Sequence, residues 1–310
     1  MPALPALLLP LLALLVPLAA PAADFHPQAG RVEAGRVVEL EADGQTVAAI
    51  ARAPARPRAL GGVLLLGGAG EHANAAGAIG PLRRGLADAG WLTLAVASRP
   101  DREGNDARIR AGLEWLAARL AQDEGPTFLV LAGHGRGAGA VATWQASNRD
   151  AERAAGALVL VNALVEPDER GQAVLGALGA VEQPVLDIYG DAGRRAVVAT
   201  AGERARRAQA GGNRDYRQDR IQGALDFSRV PEMLVTRVAG WLGTTQQEAA
   251  ARARAEARRQ AQREAEGKEP AEEAAPEEGE TQQRPDDLQR YFTPPGGNGG
   301  GDGNPGGGGQ

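Results

Sequence analysis

No cysteine occurs among the 310 residues. That excludes disulfides, a thiol nucleophile, thiolate metal sites and a lipid-bearing cysteine after a leader. Histidine is nearly as scarce. The three present, His26, His72 and His134, lack the paired spacing of a metal site, so no metal and no cofactor are expected. Serine is limited to Ser98, Ser147 and Ser228, and lysine to Lys268. So uniform a preference for arginine is more simply explained by a GC-rich genome than by phosphate recognition, and no nucleic-acid partner is expected. Beyond the first stretch of the chain, no apolar run approaches the roughly twenty residues needed to cross a bilayer.

What is present divides into three parts. Residues 1–23 read as a signal peptide. The run from Ala6 to Leu18 is apolar, no charge precedes Asp24, and Ala20-Pro21-Ala22 supplies the small residues a signal peptidase accepts. Retention as an anchor is the alternative, opposed by Pro5, Pro10, Pro17 and Pro21. The expectation is a periplasmic or secreted protein without a stable membrane span after cleavage. At the other end, residues 244–310 hold 13 acidic and 8 basic side chains, which account for the whole net charge of −5. This tail has too little apolar content to offset its ordering entropy, so it is expected to be disordered. Within it, residues 246–266 favour a helix but have no apolar stripe. Leu288-Gln289-Arg290-Tyr291-Phe292 is the one patch with aromatic content, a candidate dock for an envelope protein.

Residues 24–243 carry the folded domain. Arg36–Leu40 and Gln45–Ile50 flank Asp43-Gly44, a hairpin signal. Gly62–Leu66 is a continuous apolar run, as in a strand buried on both faces. A helix over roughly 76–89 follows, with Ile79, Leu82 and Leu86 on one side and Gly90 past its end. The pattern repeats as strand 91–96, helix 106–121, strand 127–131, helix 138–146, strand 157–161, a loop and helix, strand 184–189, and a closing helix over 231–242. The expected fold is α/β: a mostly parallel sheet with helices on both faces and an N-terminal β-hairpin. Functional groups then gather at the carboxyl ends of the strands.

One of those ends stands out. Phe128-Leu129-Val130-Leu131-Ala132 runs into Gly133-His134-Gly135-Arg136-Gly137 and then a small-residue helix start. Strand, tight Gly-x-x-x-Gly turn and helix form the context of a nucleophile elbow. With Gly67-Gly68-Ala69-Gly70 in the position of an oxyanion loop and Tyr189-Gly190-Asp191 at a late strand end, residues 35–243 resemble the α/β-hydrolase superfamily. Within it they are most similar to an uncharacterised family of exported bacterial α/β-hydrolase-like proteins.

The resemblance also exposes departures. The nucleophile falls on Gly135, the acid on Gly193 with Asp191 within reach, and the histidine on Asp226. A count independent of alignment agrees, since no histidine follows the elbow and none of the three serines lies on it. Nucleophilic catalysis needs a nucleophile and a base within hydrogen-bond reach, and both are missing from the expected places. The turn keeps backbone donors: the Arg136 N–H, a second from Ala69 or Gly70, and the positive end of a helix. His72, His134 and Arg136 are candidates to line the same pocket, which would take a small carboxylate or ester. The expected function is a binding or scaffold module without a serine-hydrolase triad. The alternative is an esterase-like hydrolase with a displaced mechanism, drawing on His72 or His134 with Asp191 or Asp226. Gly68-Ala69-Gly70-Glu71-His72-Ala73 also satisfies a dinucleotide fingerprint, with Arg99 placed for a 2′-phosphate. The preceding hairpin and the exported location argue against it.

Overall fold

The computed structural model describes residues 35–99, 101–124, 128–149 and 154–266. The leader, His26 and the tail after residue 266, Leu288–Phe292 included, lie outside the described residues. Two units are distinguished, Met1–Arg259 and Gln260–Gln310, and the first contains the whole sheet.

The N-terminal hairpin is present as β1 (Arg36–Ala42) and β2 (Gln45–Arg52), in antiparallel register from Arg36–Ala51 to Ala42–Gln45. Asp43 and Gly44 both have positive φ, 48° and 73°. This turn matches the twist of the strands it joins, which is why Asp-Gly marks it in sequence. β2 then pairs antiparallel with β4 (Leu92–Val96). The other strands, β3 (Gly62–Leu66), β5 (Leu129–His134), β6 (Ala157–Val161), β7 (Val185–Gly190) and β8 (Tyr216–Ile221), run parallel with β4 in the order β1-β2-β4-β3-β5-β6-β7-β8.

The apolar runs are continuous because both faces of these strands are covered. Leu64, Leu66, Leu94 and Leu131 pack with α2 (Arg102–Gln122), α3 (Arg136–Ser147) and α4 (Glu169–Ala180). Val63, Leu65, Val130 and Val159 face the other way, onto α1 (Ile79–Asp88) and α6 (Pro231–Glu266). The chain leaves β3 toward β4 and returns to place β5 on its other side. The carboxyl ends of β3 and β5 therefore flank the reversal of strand order, where open α/β sheets form their crevices.

Four features differ from the sequence expectation. α2 begins at Arg102 rather than 106, because the Asp101 carboxylate caps it by accepting from the Gly104 N–H at 2.7 Å. β5 continues to His134, so the glycine turn is shorter than its sequence implies. α6 does not stop at Leu242 but runs unbroken to Glu266. Thr245 is buried and Arg252 lies 3.6 Å from Asp215, so the start of this extension packs on the body. Finally, α5 (Arg195–Ala210) and β8 had no apolar signature. β8 reads YRQDRI at the sheet edge, and the buried stripe of α5 is Val197, Ala201, Arg204 and Ala208, in which an arginine sits where an apolar residue is expected. Among the described residues no helix is long and apolar enough to cross a membrane.

Candidate functional site

The elbow joins β5 to α3 at Gly135, whose φ of 58° and ψ of −117° lie outside the regions open to ordinary L residues. The Gly135 N–H donates to the Val161 carbonyl at 2.9 Å and its carbonyl accepts from the Leu164 N–H at 3.1 Å, so the turn is held by the chain leaving β6. The flanking glycines are required by space. A Cβ on Gly133 would lie 2.6 Å from Ala138 Cα, and one on Gly137 would lie 2.6 Å from the Leu66 carbonyl oxygen. Gly135 differs: an added Cβ would meet only Gly68 Cα, at 3.9 Å. The space for a nucleophile side chain remains, and the strained backbone that would present it remains too.

Across this space lies the loop after β3, where the structure reveals a residue that the sequence reading left out. Glu71 Oε2 accepts from the Gly68 N–H at 2.6 Å and pairs with His134 Nδ1 at 2.7 Å. The Gly68 carbonyl in turn accepts from Ser98 Oγ at 2.6 Å and from the Glu71 N–H at 2.9 Å. Glu71 thus clamps the loop to the end of β5, and His134 serves that clamp. The available signal was that Glu71 is the one acidic residue between the strand-end glycines and α1. His72 is exposed and turns into its own loop, its Nδ1 accepting from the Asn74 N–H at 3.1 Å. Ala69 and Gly70 occupy the tip of the loop, with Gly70 at φ 76°.

Burial pushes the Glu71 carboxyl up. The hydrogen bond and charge of His134, the Gly68 N–H and the charge of Arg194 outweigh that, so it titrates below the ordinary glutamate value. A depressed carboxylate contributes stability in full above its unfolded pKa, near 4.5, and loses it as the pH falls through the lower folded value. Glu71→Gln is therefore expected to be less stable than wild type at neutral pH. The gap should narrow as acid takes the wild-type carboxylate through its titration. Urea midpoints along a pH series measure this, and a gap that stays constant through the acid limb would show that the pair does not act as described.

The residues that the resemblance aligns with acid and histidine are engaged elsewhere. Asp191 accepts from the Gly223 N–H at 2.7 Å and from Arg220 Nε at 3.0 Å, tying the end of β7 to the loop after β8. These donors, Gly223 first, hold its carboxyl below the usual range. Gly193 has no room for a side chain, since a Cβ there would lie 2.8 Å from the Leu225 carbonyl oxygen and 3.0 Å from that of Gly190. Asp226 accepts from Ser228 Oγ at 2.5 Å and from the Ser228 N–H at 3.0 Å, in a turn just before α6. The Ser228 bonds, with smaller help from the charges of Arg229 and His134, lower its carboxyl.

Arg136 points the other way. Its guanidinium donates to Glu166 Oε1 at 2.5 Å and lines a cleft of about 470 Å³ between the first turns of α2, α3 and α4. The structure thus separates the expected ligand residues. His134 faces the β3 loop, Arg136 faces the α2–α4 cleft, and His72 faces solvent.

The family model described as "Protein of unknown function (DUF3530)" matches residues 28–107 and 97–244. No curated protein matches by sequence. Among solved structures, Est1E from Butyrivibrio proteoclasticus is similar at 15% identity and a TM-score of 0.53, over 67% of this chain and 98% of that one. The esterase domain of a Rhodothermus marinus protein is similar at 15% identity and a TM-score of 0.54, over 68% and 96%. A Pyrococcus furiosus esterase is similar at 15% identity and a TM-score of 0.55, over 72% and 95%. At such identities the likeness speaks to fold, and the fold is that of an α/β-hydrolase.

Proposed function

The chain belongs to the DUF3530 family of proteins of unknown function, and from that premise we propose that it is an exported α/β-hydrolase-fold binding protein without serine-hydrolase chemistry. The observation that carries this reading is Gly135: the elbow keeps its strained backbone, and the residue on it has no side chain. The rest of a triad is equally hard to assemble. Position 193 is closed by backbone oxygens, Asp226 is turned into its own loop by Ser228, and no histidine follows the elbow. What the turn offers is the Arg136 N–H at the start of α3, a donor suited to holding a carboxylate or ester carbonyl without cleaving it.

The test is esterase turnover of short p-nitrophenyl esters by the purified chain. None above the buffer rate is expected. Gly135→Ser should fold, because the space is open, at a cost of about 1–3 kcal/mol for a side chain at this φ. It should still show no turnover, because no base is placed to serve the hydroxyl. Activity in that variant would overturn the reading.

A second reading, a hydrolase with a displaced mechanism, is favoured by one contact. Glu71 on His134 Nδ1 resembles the way a carboxylate orients an imidazole base. Wild-type turnover that His134→Ala and Glu71→Gln both abolish would establish it and sink the binding proposal. The leader reading of residues 1–23 supports a periplasmic or secreted location, which cell fractionation of the full chain tests; recovery in the cytosol would refute it. The tail offers a route to an envelope partner, and a chain ended after residue 266 that retains every interaction of the full chain would remove that role.

A further inference from the structure

We infer that the cleft between α2, α3 and α4 binds an uncharged, mainly hydrocarbon small molecule, at a site separate from the elbow. Its volume of about 470 Å³ lies within the range of roughly 300–1,000 Å³ that small-molecule sites occupy. The class of ligand follows from what each group on the wall has left to offer.

The polar groups have little. Asn105 is buried and spends its amide within the chain. Its Nδ2 donates to the Arg99 and Asp101 carbonyls, each at 2.9 Å, and its Oδ1 accepts from the Arg99 N–H at 2.7 Å. Ser98 Oγ donates to the Gly68 carbonyl at 2.6 Å, and Thr143 Oγ1 turns back onto the Gly139 and Ala140 carbonyls, both at 3.0 Å. A polar ligand would compete with bonds already made.

The charges cancel. Arg99, Arg102, Arg136 and Arg170 line the cleft together with Asp101, Glu103 and Glu166. Arg99 is paired with Asp101, Arg136 with Glu166, and Arg102 with Asp106. Glu103 and Arg170 are of opposite sign and both exposed, so water solvates them in place. Neither an anion nor a cation meets a net opposite charge here, and either would lose hydration on entry.

The apolar groups are what remain. Ala140 on α3, Leu164 after β6, and Ala173 and Val174 on α4 line the cleft. Gly139 lets the two helices come together, since a Cβ there would lie 2.7 Å from Val174 Cγ2. Water against this surface gains no hydrogen bonds from it, so a hydrocarbon body displaces it favourably. His134, Gly135, Gly193 and Asp226 are not among the lining residues. The inference therefore stands whether or not the elbow has any chemistry.

Fluorescence titration of the full chain with N-phenylnaphthylamine, an uncharged dye, tests it. The dye should bind saturably, at one equivalent. Decanol should displace it, whereas decanoate and decyltrimethylammonium, with the same chain and below their micellar range, should do so about five-fold less well or worse. Ala173→Trp, at an exposed position of α4, should abolish binding by filling the cleft. Ala173→Asp should weaken it about ten-fold, because it sets a carboxylate among the apolar groups. Thermal melting of both variants without dye separates lost binding from lost folding. Displacement by either charged compound as strong as by decanol, an unchanged dye affinity in folded Ala173→Trp, or no saturable signal would each overturn the assignment.

Discussion

Arg204→Met should lower the stability of the protein by about 3–5 kcal/mol, the usual cost of removing one partner from a buried ion pair. Arg204 and Asp187 are both fully buried, with Nε 2.8 Å from Oδ2 and Nη2 3.2 Å from Oδ1. The remaining donor capacity of the guanidinium is spent on the Val197 carbonyl at 2.9 Å, Thr200 Oγ1 at 3.0 Å and the Ala163 carbonyl at 3.2 Å. Asp187 also accepts from Tyr216 Oη at 2.6 Å and Gln218 Nε2 at 2.9 Å. Burial and the Asp187 carboxylate push the Tyr216 phenol up, so it stays a donor at any working pH. With methionine at 204 the carboxylate would keep these two neutral donors and lose its counter-charge in a site closed to water. The double variant Arg204→Met, Asp187→Leu should recover part of the loss, because the uncompensated charge is then gone. It should not recover all, since Tyr216 would lose its acceptor. Urea unfolding of the three variants decides this. A single-variant cost below about 1 kcal/mol, the level of a surface pair, would mean that the network contributes little.

Gly137→Ala should be nearly as damaging, at or above the upper end of the roughly 1–3 kcal/mol typical of overpacking. The new Cβ would overlap the Gly67 carbonyl oxygen and sit 2.6 Å from that of Leu66. Both are backbone atoms in the sheet and its strand-end loop, and they cannot swing aside as a flexible side chain would. Relief would require α3 to separate from β3, which would also shift the loop clamped by Glu71. Gly176→Ala provides the contrast. A Cβ there meets nothing within 4 Å, and the position lies within α4. It should stabilise the protein by up to about 1 kcal/mol through helix propensity. If both substitutions proved neutral, the close approach of α3 to β3 would be wrong.

Much of the fold could be read from local pattern. Gly62–Leu66 and Ala157–Val161 are strands within the very limits set by their apolar runs, because both faces of these two strands are packed and apolar side chains fill both. Asp43-Gly44 marks its turn because few residues accept positive φ twice in succession. Where pattern failed, a polar side chain had taken a core position. Arg204 interrupts the stripe of α5, and the Asp187 partners Tyr216 and Gln218 give β8 a polar face toward the interior. Those two elements were invisible because periodicity registers hydrophobicity and cannot register a satisfied charge.

The site was legible in part for the same reason. The strand followed by Gly133 and Gly137 marks a tight turn into a helix, and the absence of any histidine after residue 134 is read directly from residue order. These are properties of residue type and order, and the sequence alone determines them. Pairing is of another kind. Glu71 meets His134 across 63 positions, Asp191 meets Gly223 across 32, and Arg136 meets Glu166 across 30. Only the sheet order, which brings the ends of β3, β5, β6 and β7 side by side, decides which charge finds which partner. It also decides that Gly135 has open space above it while Gly193 has none. A side chain's chemistry belongs to its residue, but its partners, burial and room depend on neighbours that the chain supplies from far away.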